Sequence, residues 1–187
     1  SLVDQTTTDA DSAADSGSDA TADTQEHDAT TDSSVAQSSG GSGGITCTSK
    51  AVLDSSHNAC LASAGGTQYK LTEPVGGSGP AYLGIYLHGD GAGAYNSNSA
   101  VKRMLALADQ KHMLLIAVLA PNKCAWWQKG DKVFDASCNS PTEDRDTTGA
   151  NAKVLADVLE TVRAAYDVRN DPYLYYTASG GSIFLTG

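Results

Sequence analysis

The residues whose types and spacing could do chemistry lie near the C-terminal end, in Tyr173-Leu-Tyr-Tyr-Thr-Ala-Ser179-Gly-Gly-Ser-Ile-Phe-Leu-Thr-Gly187. An apolar, aromatic run from Tyr173 to Tyr176 reads as a buried strand. It breaks at Ala178-Ser179-Gly180-Gly181 and turns apolar again at Ile183, Phe184 and Leu185. Strand, sharp turn, helix, with a serine at the apex, is the layout of a nucleophile elbow. Such a turn lifts the serine hydroxyl clear of the sheet and demands small residues two places to either side. Around Ser179 those places hold Thr177 and Gly181, so the pattern is T-A-S-G-G rather than G-x-S-x-G. Gly181 fits and Thr177 departs from the pattern. Ser182 is excluded as the apex because Phe184 would fill its required small position. The simpler reading is a Gly-Gly turn that only links a strand to a helix, since Ser and Gly are common turn residues.

A second motif raises the first above that reading. The apolar run Ala81 to Leu87 ends in His88-Gly89-Asp90-Gly91. Glycines in this position let the backbone turn so that an N–H, here that of Asp90, points into a site as an oxyanion donor. The N–H of Gly180, next after the serine, supplies the second donor. His88 itself is read as a structural histidine bonded to a nearby carbonyl, not as a catalytic base.

The elements that must position these groups follow from hydrophobic periodicity. Thr67 to Val75 alternates weakly, as an antiparallel early strand would, and Ala81 to Leu87 is continuously apolar, as in a strand covered on both faces. Val101, Met104, Leu105 and Ala108 form one face of a helix that starts near Asn98 or Ser99. Met113 to Ala120 is a second continuous apolar strand, stopped by Pro121. Val154, Leu155, Val158, Leu159 and Val162 stripe a helix that ends near Tyr166. Strands alternating with helices predict the α/β class with a mainly parallel sheet.

Composition divides the chain of 187 residues into a tail and a domain. Residues 1–44 are almost wholly Ser, Thr, Asp, Ala and Gly, and they carry nine of the net ten negative charges. So few apolar side chains cannot offset the ordering entropy, and a disordered acidic tether is expected there. Residues 45–187 form the domain and are nearly neutral, so the acidity describes the tail and identifies no charged partner. Nothing in the sequence points to nucleic acid or to a cofactor. No stretch is long and apolar enough to span a membrane.

The four cysteines fall into two local pairs, Cys47 with Cys60 and Cys124 with Cys138. Four cysteines allow three connectivities, of which the sequential one is the simplest. Metal ligation is disfavoured because there is no C-x-x-C and no histidine at ligand spacing apart from His57 near Cys60. Disulfides and a solvated spacer both predict an exported, secreted or cell-surface protein.

Taken together, residues 67–187 resemble the N-terminal half of an α/β-hydrolase, most like secreted poly(3-hydroxybutyrate) depolymerases and feruloyl-esterase-like serine esterases. The matching pieces are LGIYLHGDGAGAY at 83–95, ALADQKHMLLIAVLAP at 106–121, the Trp126-Trp127 pair and YDVRNDPYLYYTASGG at 166–181. The resemblance implies a three-layer sandwich in which the Ala81 and Tyr173 strands are neighbours. It further implies Ser179 as nucleophile, Asp90 and Gly180 as oxyanion donors, and a small or polymeric carboxylic ester as substrate. The acidic tail likewise resembles the tethers behind the lipidated cysteine of bacterial surface lipoproteins, which makes a membrane tether possible.

In this fold the acid and the histidine follow the serine, yet His27, His57, His88 and His112 all precede Ser179. The chain is therefore expected to be the C-terminally truncated part of a longer hydrolase and inactive alone. The alternative is a non-catalytic surface binding module that reuses the fold. In either case Trp126 and Trp127 form an aromatic wall for the ligand, or else two core tryptophans. Asp144 and Asp146 are read as helix-start carboxylates.

Overall fold

The computed structural model describes residues 44–129, 138 and 145–186. The expected tether, apart from Gly44, and Asp144 lie outside the described residues. Among them the chain forms β1 (Ser49–Val52), β2 (Asn58–Ala64), β3 (Thr67–Thr72), β4 (Ala81–Leu87), α1 (Gly93–Asn96), α2 (Ser99–Lys111), β5 (Met113–Val118), α3 (Ala150–Ala165), β6 (Val168–Thr177) and α4 (Gly180–Thr186).

The strands make one sheet in the order β1-β2-β3-β5-β4-β6. β5-β4-β6 is parallel, with Ile85 of β4 between Ile116 and Tyr175. β1, β2 and β3 form an antiparallel meander, and β3 meets β5 antiparallel with Leu71 opposite Ile116. The sheet is thus mixed, which corrects the mainly parallel sheet expected from the sequence. The difference comes from residues 49–64, whose short and partly polar strands lack a clear period. Ala64 pairs with Thr67 across Gly65 and Gly66, both at positive φ (59° and 82°), the geometry that a two-residue hairpin requires.

Alternation along β4 and β5 divides the core into two layers. Leu83, Ile85, Leu114, Ile116 and Val118 face one way, where Leu155, Val158 and Val162 of α3 cover them. Tyr86, Met113, Leu115 and Ala117 face the other way, under Val101, Leu105 and Ala108 of α2. Burial on both faces explains why all six residues of β5 are buried and why the strand reads as an unbroken apolar run. Helices on both faces of a sheet make this an α/β fold.

Both expected disulfides are present. Cys47–Cys60 and Cys124–Cys138 have S–S distances of 2.01 and 2.00 Å. The first ties the approach to β1 onto β2. The second closes the loop that follows β5.

Asp146 starts α3, as expected. Its carboxylate accepts from the backbone N–H groups of Ala150 and Asn151 at 3.2 and 2.7 Å and from the Thr148 hydroxyl at 2.8 Å. These bonds to the ionised form hold its pKa below the usual carboxylate value, against the opposing effect of partial burial. Among the described residues no helix is long and apolar enough to cross a membrane.

Candidate functional site

Two chain reversals meet at the C-terminal ends of β4 and β6, which are neighbours with Leu87 opposite Thr177. After β4 the chain leaves toward α1 and α2 on one face, and after β6 it leaves into α4, whose Phe184 packs with the α3 layer on the other. Adjacent parallel strands whose connections part to opposite faces open a crevice at their carboxyl ends. Ser179 stands at the mouth of that crevice, exposed.

The turn at Ser179 has the strained geometry that its sequence suggests. β6 ends at Thr177, α4 begins at Gly180, and Ser179 between them has φ 47°. A positive φ is uncommon for a non-glycine residue and is retained where the surroundings over-determine it. Here the surroundings are visible. The Ser182 N–H donates to the Ser179 carbonyl at 2.9 Å and the Ile183 N–H to the same oxygen at 3.1 Å, so the first turn of α4 holds the apex.

The glycines around the apex mark close approach, against backbone atoms at Gly89 and Gly181 and against side chains at Gly180. A Cβ on Gly89 would sit 3.1 Å from the Ser179 Cβ and 3.1 Å from the Ala178 carbonyl oxygen. One on Gly181 would run into the carbonyl oxygens of Leu87 and His88, the latter at 2.8 Å. One on Gly180 would press on the Asp90 carboxylate, with the Asp90 Cγ 3.0 Å away. The β4 turn and the Ser179 turn therefore touch backbone to backbone, which brings Asp90 beside Gly180. Among the described residues neither the Asp90 nor the Gly180 N–H has a backbone acceptor. Gly91, at φ 81°, makes the bend that carries the chain away.

Thr177 fits because its side chain turns toward α4, where its hydroxyl and that of Ser182 lie 2.7 Å apart in a hydrogen bond. The position that the elbow pattern reserves for a small residue is thus filled by a group with its own partner.

His88 is fully buried and both ring nitrogens are committed. Nδ1–H donates to the Gly89 carbonyl at 2.7 Å, and Nε2 accepts from the Ala120 N–H at 2.9 Å. Burial pushes its pKa down, which keeps the ring neutral. It pins the end of β4 to the end of β5 and has no free nitrogen for a substrate. The other described histidines are committed too. His57 lies between Asp54 and Asp109, and His112 bonds the carbonyls of Gly76 and Gly79. No described histidine stands against Ser179.

The two tryptophans part company. Trp126 has 0% exposure and packs with its ring 5.2 Å from that of Phe184, inside the α3-side core. The substrate-wall expectation is corrected for Trp126, whose burial leaves no surface for a ligand. Trp127 is half-buried at the site, and its Nε1–H donates to Asp90 Oδ1 at 3.0 Å. That bond links residues 37 positions apart, and no local sequence signal announces it. Among the described residues no group of three His, Cys, Asp or Glu could hold a metal ion.

No family model matches this chain, and no curated protein matches it.

Proposed function

We propose that the protein is a serine hydrolase that cleaves carboxylic esters through an acyl-enzyme at Ser179 and acts outside the cytoplasm. The observation that carries this reading is the positive φ of Ser179 in a strand-to-helix turn packed against the His88-Gly89-Asp90-Gly91 turn. Strain of that kind at an exposed serine, next to two backbone N–H groups without backbone acceptors, is what nucleophile presentation and oxyanion stabilisation require.

In this reading the Ser179 oxygen attacks the ester carbonyl carbon. The Asp90 and Gly180 N–H groups receive the negative oxygen, and the alcohol leaves with the proton that the serine gave up. Water then releases the acid. Serine needs a general base to do this efficiently, and residues 44–129 and 145–186 hold no free imidazole at Ser179, so the base comes from outside them. The two disulfides support an oxidising compartment for the reaction.

Labelling by a fluorophosphonate, located by peptide mapping, together with turnover of a simple aryl ester, tests the proposal. Label on Ser179, with label and turnover both lost in Ser179→Ala, is the expected result. Unchanged turnover in Ser179→Ala would end the esterase reading.

A further inference from the structure

We infer that the Asp90 side chain selects the charge of the substrate: it disfavours acyl groups that carry a carboxylate and leaves Ser179 to uncharged or amine-bearing carboxylic esters. The inference rests on Ser179 being the nucleophile proposed above. It concerns the carboxylate of Asp90, whereas the proposed mechanism uses only its backbone N–H.

Three observations place a negative charge at the reacting centre. The Asp90 carboxylate lies over Gly180, the residue that follows Ser179, so closely that a Cβ on Gly180 would overlap it. Its Oδ1 is fixed there by the Trp127 indole N–H at 3.0 Å, an uncharged donor that orients the carboxylate and leaves its charge in place. Among the described residues no Lys, Arg or His forms an ion pair with it. The adjacent His88 is held neutral by burial.

An acyl chain bound at Ser179 lies within a few residues' width of this charge. A second carboxylate on that chain meets like-charge repulsion, while an ammonium meets attraction. Asp90 is exposed, so solvent and salt weaken the effect in the empty site. A bound substrate displaces part of that water.

A purely structural role is the competing explanation, in which Asp90 only holds the Trp127 ring. Asp90→Asn separates the two, because the amide oxygen still accepts the indole N–H while the charge is gone.

The experiment uses two phosphonofluoridates of equal chain length, one ending in a methyl group and the other in a carboxylate, on the full-length protein. In each case the Ser179 oxygen bonds to phosphorus, the P–F bond breaks, fluoride leaves and the hydroxyl proton passes to the buffer. Intact-protein mass gives the second-order labelling rate, and peptide mapping locates the label.

The ratio of the two rates is the readout. Asp90→Asn is expected to raise the carboxylate probe relative to the methyl probe by about tenfold, the equivalent of about 1.4 kcal/mol. Asp90→Glu, which keeps the charge, is expected to stay within about threefold of the wild-type ratio. A ratio that Asp90→Asn leaves within about twofold of wild type overturns the inference while Ser179 stays the nucleophile. So does an Asp90→Glu ratio that moves as far as that of Asp90→Asn. If neither probe reaches Ser179 in any variant, the nucleophile assignment itself fails and the charge selection falls with it.

Discussion

Replacing Gly181 by alanine tests whether the Ser179 turn is held by the contact of its backbone with the end of β4. The added Cβ would meet the carbonyl oxygens of Leu87 and His88, with the Leu87 carbonyl carbon 2.9 Å away. These are backbone atoms. Leu87 is paired to Val118 on one side and Thr177 on the other, so its carbonyl cannot retreat without breaking the sheet. The first turn of α4 must lift instead, and Ser179 must lift with it.

Overpacking of this kind costs up to about 3 kcal/mol. Alanine is the better helix former by up to about 1 kcal/mol, so the net loss should be about 2 kcal/mol. For a chain of this length that is a fall in Tm of roughly 4 to 8 °C. Gly180→Ala is the control. Its Cβ would meet the Asp90 carboxylate and the edge of the Trp127 ring, side-chain atoms that can swing aside. The loss there is limited to an exposed hydrogen bond, about 1 kcal/mol or less. Neither glycine has a positive φ, so backbone strain does not confuse the comparison. Denaturant midpoints and thermal melts of both variants give the ranking. Gly181→Ala as stable as wild type, or Gly180→Ala the more damaging of the two, would refute the packing argument.

Reduction of the disulfides should destabilise the domain by about 3 kcal/mol for each bridge, because each closes a loop of similar length. Melts with and without reductant, after a thiol assay that finds no free cysteine in the unreduced protein, check this. A second expectation concerns His57, which Asp109 and Asp54 hold above the ordinary histidine pKa, the Asp109 hydrogen bond contributing most. With the folded pKa raised, its contribution is complete below about pH 6.5, the unfolded value, and is lost as pH rises through the folded pKa. The stability gap between wild type and His57→Gln should therefore narrow from pH 6 to pH 8. Asp109 is lowered chiefly by the His57 hydrogen bond, and Asp54 first by the Ser56 backbone N–H and then by His57, so the gap should also narrow, mainly through Asp109, as pH falls through their depressed values. A gap that does not change with pH would show that His57 is held by packing alone.

What could be read from the sequence is what local periodicity and turn chemistry encode. β4, β5, α2 and α3 are buried on a face or on both, so their apolar residues recur at fixed intervals. β1 and β2 were not legible. β1 is largely exposed, and β2 takes its place through hairpin pairing more than through its own apolar pattern. The Ser179 turn was legible because strain there restricts residue choice to small side chains. The paired reading of Trp126 and Trp127 failed for a simple reason. Adjacent residues on a loop can face opposite ways, and only the packing of Phe184 shows which ring is inside. The contact of Asp90 with Trp127 is set by how two loops converge, which no spacing reveals.

The departure at Thr177 shows how packing changes the meaning of a motif. The elbow pattern asks for a small residue there because a side chain would strike the first turn of the following helix. In this chain the residue in that turn is Ser182, and the contact is a 2.7 Å hydrogen bond between two hydroxyls. A half-buried hydroxyl with no partner would be penalised, so each of the two residues makes the other acceptable. T-A-S-G-G-S is therefore one physical unit at 177–182, with Gly181 giving the close approach to β4 and the Thr177–Ser182 bond closing the side where glycine would have left a gap. The bond also spans the apex: it ties the last residue of β6 to the first turn of α4, with Ser179 between them. A glycine at 177 would leave that gap open and remove the tie. The departure from the pattern is thus a second way of fixing the same serine, by a cross-link where other sequences would rely on absence of bulk.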